Sequence, residues 1–308
     1  MTDVLAQLPP DPLLERRRLV QSIATKTQRR RAVRSSLFIG LLSACLAMAI
    51  VPLFFVIYAL IVRGGHVLTW VFITKVPVQP TLFEQDQIGG IGNAILGSLV
   101  VDLVAALIAV PLGVILGLYL SETETRWANG LRRAAEIMTG LPSILLGIFA
   151  YIYIVTTMQS FSGFAASIAL AMLMTPVITK AAETALRSVP RTLTEAGLAL
   201  GARQSKVSLR VVLPVATPGI ITGVLLALAR AIGETAPLLF VIGASINYEW
   251  NPFHQMAALP MMTFTYSSAA YDSQHAAAWG IGLMLVIIVL VLNASARLIA
   301  AFMRRERH

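Results

Sequence analysis

Apolar positions in this chain gather into long runs separated by short polar, glycine- or proline-containing connections. Six runs have about the 20 residues that a helix needs to cross a bilayer: 36–63, 93–120, 137–158, 163–186, 217–244 and 277–303. The expected fold class is therefore an all-α membrane protein with six transmembrane helices. Several runs are longer than a straight crossing requires, which predicts tilted or protruding helices.

Composition agrees. The 308 residues are 57% hydrophobic and 13% charged, and the mean hydropathy is +0.77, well above that of soluble domains. The formal charge of +9 raises the question of nucleic acid, but the basic residues flank apolar runs instead of covering one folded surface, so no nucleic-acid partner is expected. Their placement sets orientation. Of 24 Lys and Arg, eight precede the first run, three lie between the second and third, six lie from Lys180 to Arg210 and four close the chain. The connections on the other side hold only Arg63 and Lys75. Lys and Arg concentrate on the cytoplasmic side of membrane proteins, so both termini are expected there. The first apolar run is too long, and its basic lead-in too extended, for a cleaved signal peptide.

These features divide the chain into a basic segment, 1–35, a membrane region, 36–303, and a basic tail, 304–308. The basic segment reads either as an interfacial helix or as a disordered lead-in. Cys45 is the single cysteine, and His66, His254, His275 and His308 share no metal-ligand spacing, so no metal site is expected. No catalytic constellation and no phosphate-cradling G-x-x-x-x-G-K-[ST] loop occurs. The chain itself is not expected to be an enzyme.

The connection 187–216, RSVPRTLTEAGLALGARQSKVSLRVVLPVA, carries more information than any other. Pro190 interrupts the fourth helix. Thr192 and Glu195 have the spacing of a capping box, predicting a new helix from about 193. Gly201 suits the left-handed conformation that ends helices. A second short helix is expected to stop at Leu213 and Pro214, with the fifth span opening at Pro218 and Gly219. Glu195, Ala196, Gly197, Gly201, Val211, Leu213 and Pro214 stand at the spacing of the cytoplasmic motif of permeases of ATP-driven (ABC) importers, and the loop resembles that motif, departing only where Gly197 replaces an alanine. The resemblance implies a loop that docks in a cleft of a separate ATPase subunit.

Charges inside apolar runs are costly and call for pairing or water. In ARAIGETAPLLF, residues 229–240, Arg230 and Glu234 are four apart, which on a helix gives one face and mutual reach. The pair is either a self-compensating brace or part of an aqueous anion path, since Arg grips oxyanions with two donors. Pro237 follows closely and predicts a kink. Lys180 and Glu183 form a second candidate pair at the end of the fourth run. Asp102 is a further charge inside the second.

GETAPLLF (233–240), GGIGNAILGS (89–98), TGLPSILLGIFAY (139–151) and NASARL (293–298) are together similar to the PstA family of phosphate importer permeases, over residues 36–303. That resemblance implies a type I ABC importer permease fold in the bacterial cytoplasmic (inner or plasma) membrane. It also implies a substrate pathway including Arg230, Glu234, Thr235, Lys180 and Glu183, although PstA proteins have Arg where this chain has Lys180. The implied partners are a PstC-like second permease, a PstB-like ATPase dimer holding ATP and Mg, and a PstS-like phosphate-binding protein. Other oxyanions or small solutes, and an ion-coupled carrier acting alone, are the alternative readings.

Overall fold

The computed structural model describes residues 12–78 and 88–305. Every regular element among them is helical. Residues 1–11 of the basic segment and 306–308 of the tail lie outside the described residues, as does part of the 64–90 connection.

Helix α1, Pro12–Ala59, is one continuous helix with Pro52 inside it. The backbone of the basic lead-in from Pro12 onward is thus helical and runs without a break into the first apolar run. This helix is a unit by itself, and a second unit begins at Leu60.

The second unit opens with a π turn, Leu60–Gly64, and a short helix α2, Trp70–Thr74. It continues through α3, Gly92–Glu122; α4, Arg126–Gly140; α5, Ser143–Ala150, prolonged to Met158; and α6, Gly163–Arg187. Then come α7, Arg191–Ala199; α8, Gln204–Ile232; α9, Leu259–Ser267; and α10, Asp272–Arg305. Among the described residues five helices are long and apolar enough to cross a membrane, and the count reaches six when the bent pair α4 and α5 is taken as one span.

Helix α6 is the centre of the bundle. In its most apolar 18-residue window 61% of positions are buried, against 22% for α3, α8 and α10. Lipid offers no hydrophobic reward for bringing helices together, so close packing depends on small side chains. A Cβ on Gly117 of α3 would come within 2.5 Å of the Ala182 Cβ, and one on Gly223 of α8 within 2.2 Å of the Ala181 Cβ. The two neighbours therefore touch α6 on either side through adjacent alanines. Ser167 adds a buried hydrogen bond from α6 to the Val101 carbonyl of α3, at 3.0 Å.

Three expected boundaries are corrected. The third run does not form one helix over 137–158. Leu141 and Pro142 are extended, with ψ of 139° and 128°, because a proline disfavours the helical conformation at the residue before it. Residues 137–140 belong to α4, which meets α5 at 103°. The fifth span also departs from expectation, at both ends. Leu213 and Pro214 do not stop the preceding helix, because a π turn over Ser208–Val212 widens the turn that the Pro214 ring enters. At the other end the helix stops at Ile232, capped by Gly233, instead of reaching 244.

From Gly233 to Ala258 the chain is largely irregular, with one 3-10 turn at Leu238–Phe240. Irregular backbone must find hydrogen-bond partners beyond its own segment, and here it caps the bundle. His254 and Pro252 carbonyls accept from the Gly163 and Phe164 N–H groups, and the Val241 carbonyl accepts from Ser162. Those amides begin α6 and have no partner within it. Ser98 Oγ accepts from the Leu259 N–H at 2.8 Å, and Asn93 Nδ2 donates to the Ser245 carbonyl at 2.7 Å.

Candidate functional site

Helix α7 and the turn after it project from the end of α6. The expected capping box does not form: α7 starts at Arg191 with Pro190 as its N-cap and no side-chain cap bond, so Thr192 and Glu195 both lie within the helix. The fixed φ of Pro190 already orients the first turn. The expected helix stop at Gly201 does occur. Gly201 has φ +79°, its N–H donates to the Leu198 carbonyl at 2.9 Å, and the Ala202 N–H donates to the Gly197 carbonyl at 3.3 Å. Those two bonds are a Schellman motif.

Gly197 has a local reason to lack a side chain. A Cβ there would lie 2.9 Å from Cγ2 of Val207, which is buried under α7. Much of the rest of this loop is uncovered. Leu193 and Leu198 are exposed, Leu200 is 88% exposed, and Glu195 and Ala196 are exposed as well. Val211 and Leu213 are half-buried and Pro214 is exposed at the start of the long helix. A polar cavity of about 510 Å³ separates α7 from the ends of α3 and α6, lined by Glu122, Arg187, Arg191, Glu195 and Gln204 among others.

Charges cluster in two places. The first joins three helix ends. Glu183 of α6 is 4% exposed; its Oε1 meets Arg132 Nε of α4 at 2.9 Å and Arg187 Nε at 3.3 Å. Both arginines also donate to the Leu120 carbonyl near the end of α3, at 3.1 and 3.2 Å. The expected Lys180–Glu183 pair is not made. Lys180 is exposed and reaches Glu136 of α4 at 3.6 Å, while Glu183 is taken by the arginines. Glu183 Oε2 is buried without a partner among the described residues, and a cavity of about 140 Å³ lies here, lined by Arg132, Glu136, Thr179, Lys180 and Glu183.

The second cluster is Arg230 with Glu234. They meet, Nε to Oε1, at 3.5 Å, but not on one helical face: α8 ends between them and the contact spans the break. Arg230 is half exposed and Glu234 one-fifth exposed. The Glu234 N–H donates to the Ala231 carbonyl, and the Thr235 carbonyl accepts from the Leu238 N–H, so Glu234 closes one tight turn and Thr235 opens the next. Gly147 of α5 permits this turn, since a Cβ there would lie 2.6 Å from the Pro237 carbonyl oxygen. Arg230 is 16 residues beyond Pro214, about 24 Å by helical rise. Asp102 is buried on α3 and joins neither cluster.

Comparison with known proteins identifies the family. Residues 109–306 match the family of binding-protein-dependent transport system inner membrane components. The chain belongs to this family. The permease is 35% identical to the phosphate transport system permease protein PstA 1 of Mycobacterium tuberculosis, over 90% of this chain and 92% of that protein. It is 33% identical to PstA of Haemophilus influenzae, over 87% and 94%, and 33% identical to the probable PstA of Methanocaldococcus jannaschii, over 85% and 92%. Among solved structures it resembles the inward-facing MetNI methionine ABC transporter, with TM-score 0.53 and 23% identity over 70% of this chain and 94% of that one. That likeness is one of fold.

The permease is thus a multi-pass ABC transporter membrane subunit, with a type I importer fold as expected. Arg132 and Arg187 are the residues that sequence reasoning missed. Pro142 carried the signal for Arg132: ending a helix at Leu141 frees 126–140 as a separate amphipathic helix. For Arg187 the local signal was its four-residue spacing from Glu183, which it meets at 3.3 Å, while its other partner, the Leu120 carbonyl, is 67 residues away and left no mark.

Proposed function

We propose that this permease carries inorganic phosphate across the bacterial cytoplasmic membrane as the PstA-type half of an ATP-driven importer. The observation that carries the reading is the break in α8, which leaves Arg230 half exposed beside Glu234 where the helix gives way to irregular backbone. Such breaks are tolerated at membrane depth where they line a cavity or are covered by protein. Arg230 offers two parallel donors to a tetrahedral oxyanion. Glu234 meets it at 3.5 Å, with Thr235 next in the chain, and the carboxylate keeps the anion from being held too tightly to leave.

A PstC-like permease supplies the other wall of the path, and a PstS-like protein delivers phosphate from outside. The exposed leucines of α7 and the segment Glu195–Gly201 dock on a PstB-like ATPase dimer, which binds ATP and Mg. Closure of the ATPases draws the loops together and opens the path outward; hydrolysis resets it. Lys180 and Glu183 leave the pathway in this reading, because their ion pairs hold α4 against α6.

The test is uptake of labelled phosphate by cells expressing the full set of subunits, with sulfate, molybdate and phosphonate as competitors. Arg230→Gln is expected to lower phosphate uptake by at least about tenfold, the equivalent of one lost charge-assisted contact, while the subunits still co-purify. Normal uptake by that variant removes Arg230 from the path. Indifference of uptake to phosphate overturns the substrate, and gradient-driven uptake by this chain alone overturns the ATP-driven reading.

A further inference from the structure

Helix α4 is unlike the other long helices of the bundle: it is too polar to cross a membrane by itself, and it meets the apolar helix α5 at a bend of 103°. If α5 runs across the bilayer, that bend lays α4 nearly parallel to its surface. Trp127, Leu131, Ala134 and Met138 recur at helical spacing along one side of α4. Trp127 is 82% exposed, Leu131 and Ala134 are exposed too, and Met138 is half-buried, so most of this stripe is uncovered among the described residues. The adjoining side is held by protein, through Ala128, which is fully buried, and through the Arg132–Glu183 and Lys180–Glu136 ion pairs. Arg126 and Arg133 are exposed and form no ion pair among the described residues. Thr125 caps the helix, its Oγ1 accepting from the Ala128 N–H at 3.3 Å.

We infer that α4 is a binding element for the anionic headgroup layer of the membrane, with the Trp127 stripe dipping into the acyl boundary and Arg126 and Arg133 holding lipid phosphates. The bend names the occupant, because it fixes α4 at the level where α5 enters the lipid. The chemistry agrees: a tryptophan is at home at that depth, and an amphipathic helix with arginines beside its apolar side binds anionic surfaces. Each arginine near an anionic surface enriches it by about fivefold.

The experiment uses the full-length chain, with the subunits that co-purify, in vesicles of brominated phosphatidylglycerol or brominated phosphatidylcholine. Trp127 is left as the single tryptophan by replacing Trp70, Trp250 and Trp279 with Phe. Its emission is expected to be quenched by both lipids, and at least about twofold more by the anionic one. Arg126→Gln with Arg133→Gln is expected to remove that difference and keep the quenching. If the single-tryptophan chain does not fold, Trp127→Phe in the otherwise native protein is expected to abolish the part of the quenching that depends on lipid charge. Absence of lipid quenching at Trp127, which means water or a protein subunit covers the stripe, overturns the inference. Equal quenching by the two lipids with both arginines present overturns the anionic preference.

Discussion

The two charge clusters have the same chemistry and opposite settings. Around Glu183 one buried carboxylate is shared by arginines from α4 and α6, and both arginines are also tied to a carbonyl of α3. Arg230 and Glu234 meet at 3.5 Å across a helix end, with the arginine half exposed. In the first, both arginines are tied to more than one helix, and only Glu183 Oε2 is left without a partner among the described residues. In the second, the pairing is loose enough for a third group to enter. Intramembrane charge is therefore not by itself a sign of a pathway; what separates the cases is how many helices compete for each atom.

The largest expected effect tests the first half of that contrast. Glu183→Ala leaves two arginines beside a buried site with no carboxylate, and breaking such a pair costs about 3–5 kcal/mol. A fall in apparent melting temperature and in the yield of folded chain is expected in detergent. An unchanged melting curve would mean that water already solvates the arginines.

Gly201→Ala comes next, at about 1–2 kcal/mol for forcing a side chain into the left-handed region. Space is not the obstacle, since a Cβ at Gly201 meets nothing within 4 Å. The effect is expected as faster amide exchange at the end of α7 and weaker retention of the ATPase, with the rest of the bundle unaltered.

Arg230→Gln is the counterpart of Glu183→Ala. A partly exposed pair is worth about 0–1 kcal/mol, so melting should shift little even where uptake collapses. A large loss of stability would place Arg230 with Glu183 as a brace and erase the distinction.

The smallest effect concerns a pair in the irregular segment outside the spans. Glu249 accepts from the Asn251 N–H at 2.9 Å and meets His254 Nδ1 at 3.0 Å. Its pKa lies below the ordinary carboxylate value, chiefly because of the Asn251 bond and next because of His254. A carboxylate with a lowered folded pKa stabilises fully above its unfolded value, and that contribution vanishes as pH falls through the folded one. Exchange at the Gly163 and Phe164 amides, corrected for its intrinsic pH dependence, should therefore quicken below the ordinary carboxylate range and not above it. Glu249→Gln should flatten this response.

Much of the fold was legible because membrane crossings write themselves as apolar length. Runs two and four match α3 and α6 to within about two residues, and Gly201 fell where a left-handed residue was expected. The misreadings share a cause. Apolar composition continues through Leu141-Pro142 and through GETAPLLF, so hydropathy alone could not see that the backbone turns there; only the prolines and Gly233 record it. The capping box failed because Pro190 supplies the helix start two residues earlier. The turn at Gly201 was legible as spacing along one short segment. The Glu183 cluster was not, since its partners come from three helices and one is a backbone carbonyl, which has no letter in a sequence.

The alanine contacts of α6 carry a mechanical consequence. Ala181 and Ala182 bring α8 and α3 against it nearly backbone to backbone, leaving little side chain between the helices at that level. Only three residues separate the end of α6 from the start of α7. A displacement imposed on α7 thus meets three closely packed helices and is passed toward the far end of α8, where the helix stops at Gly233 and irregular backbone takes over.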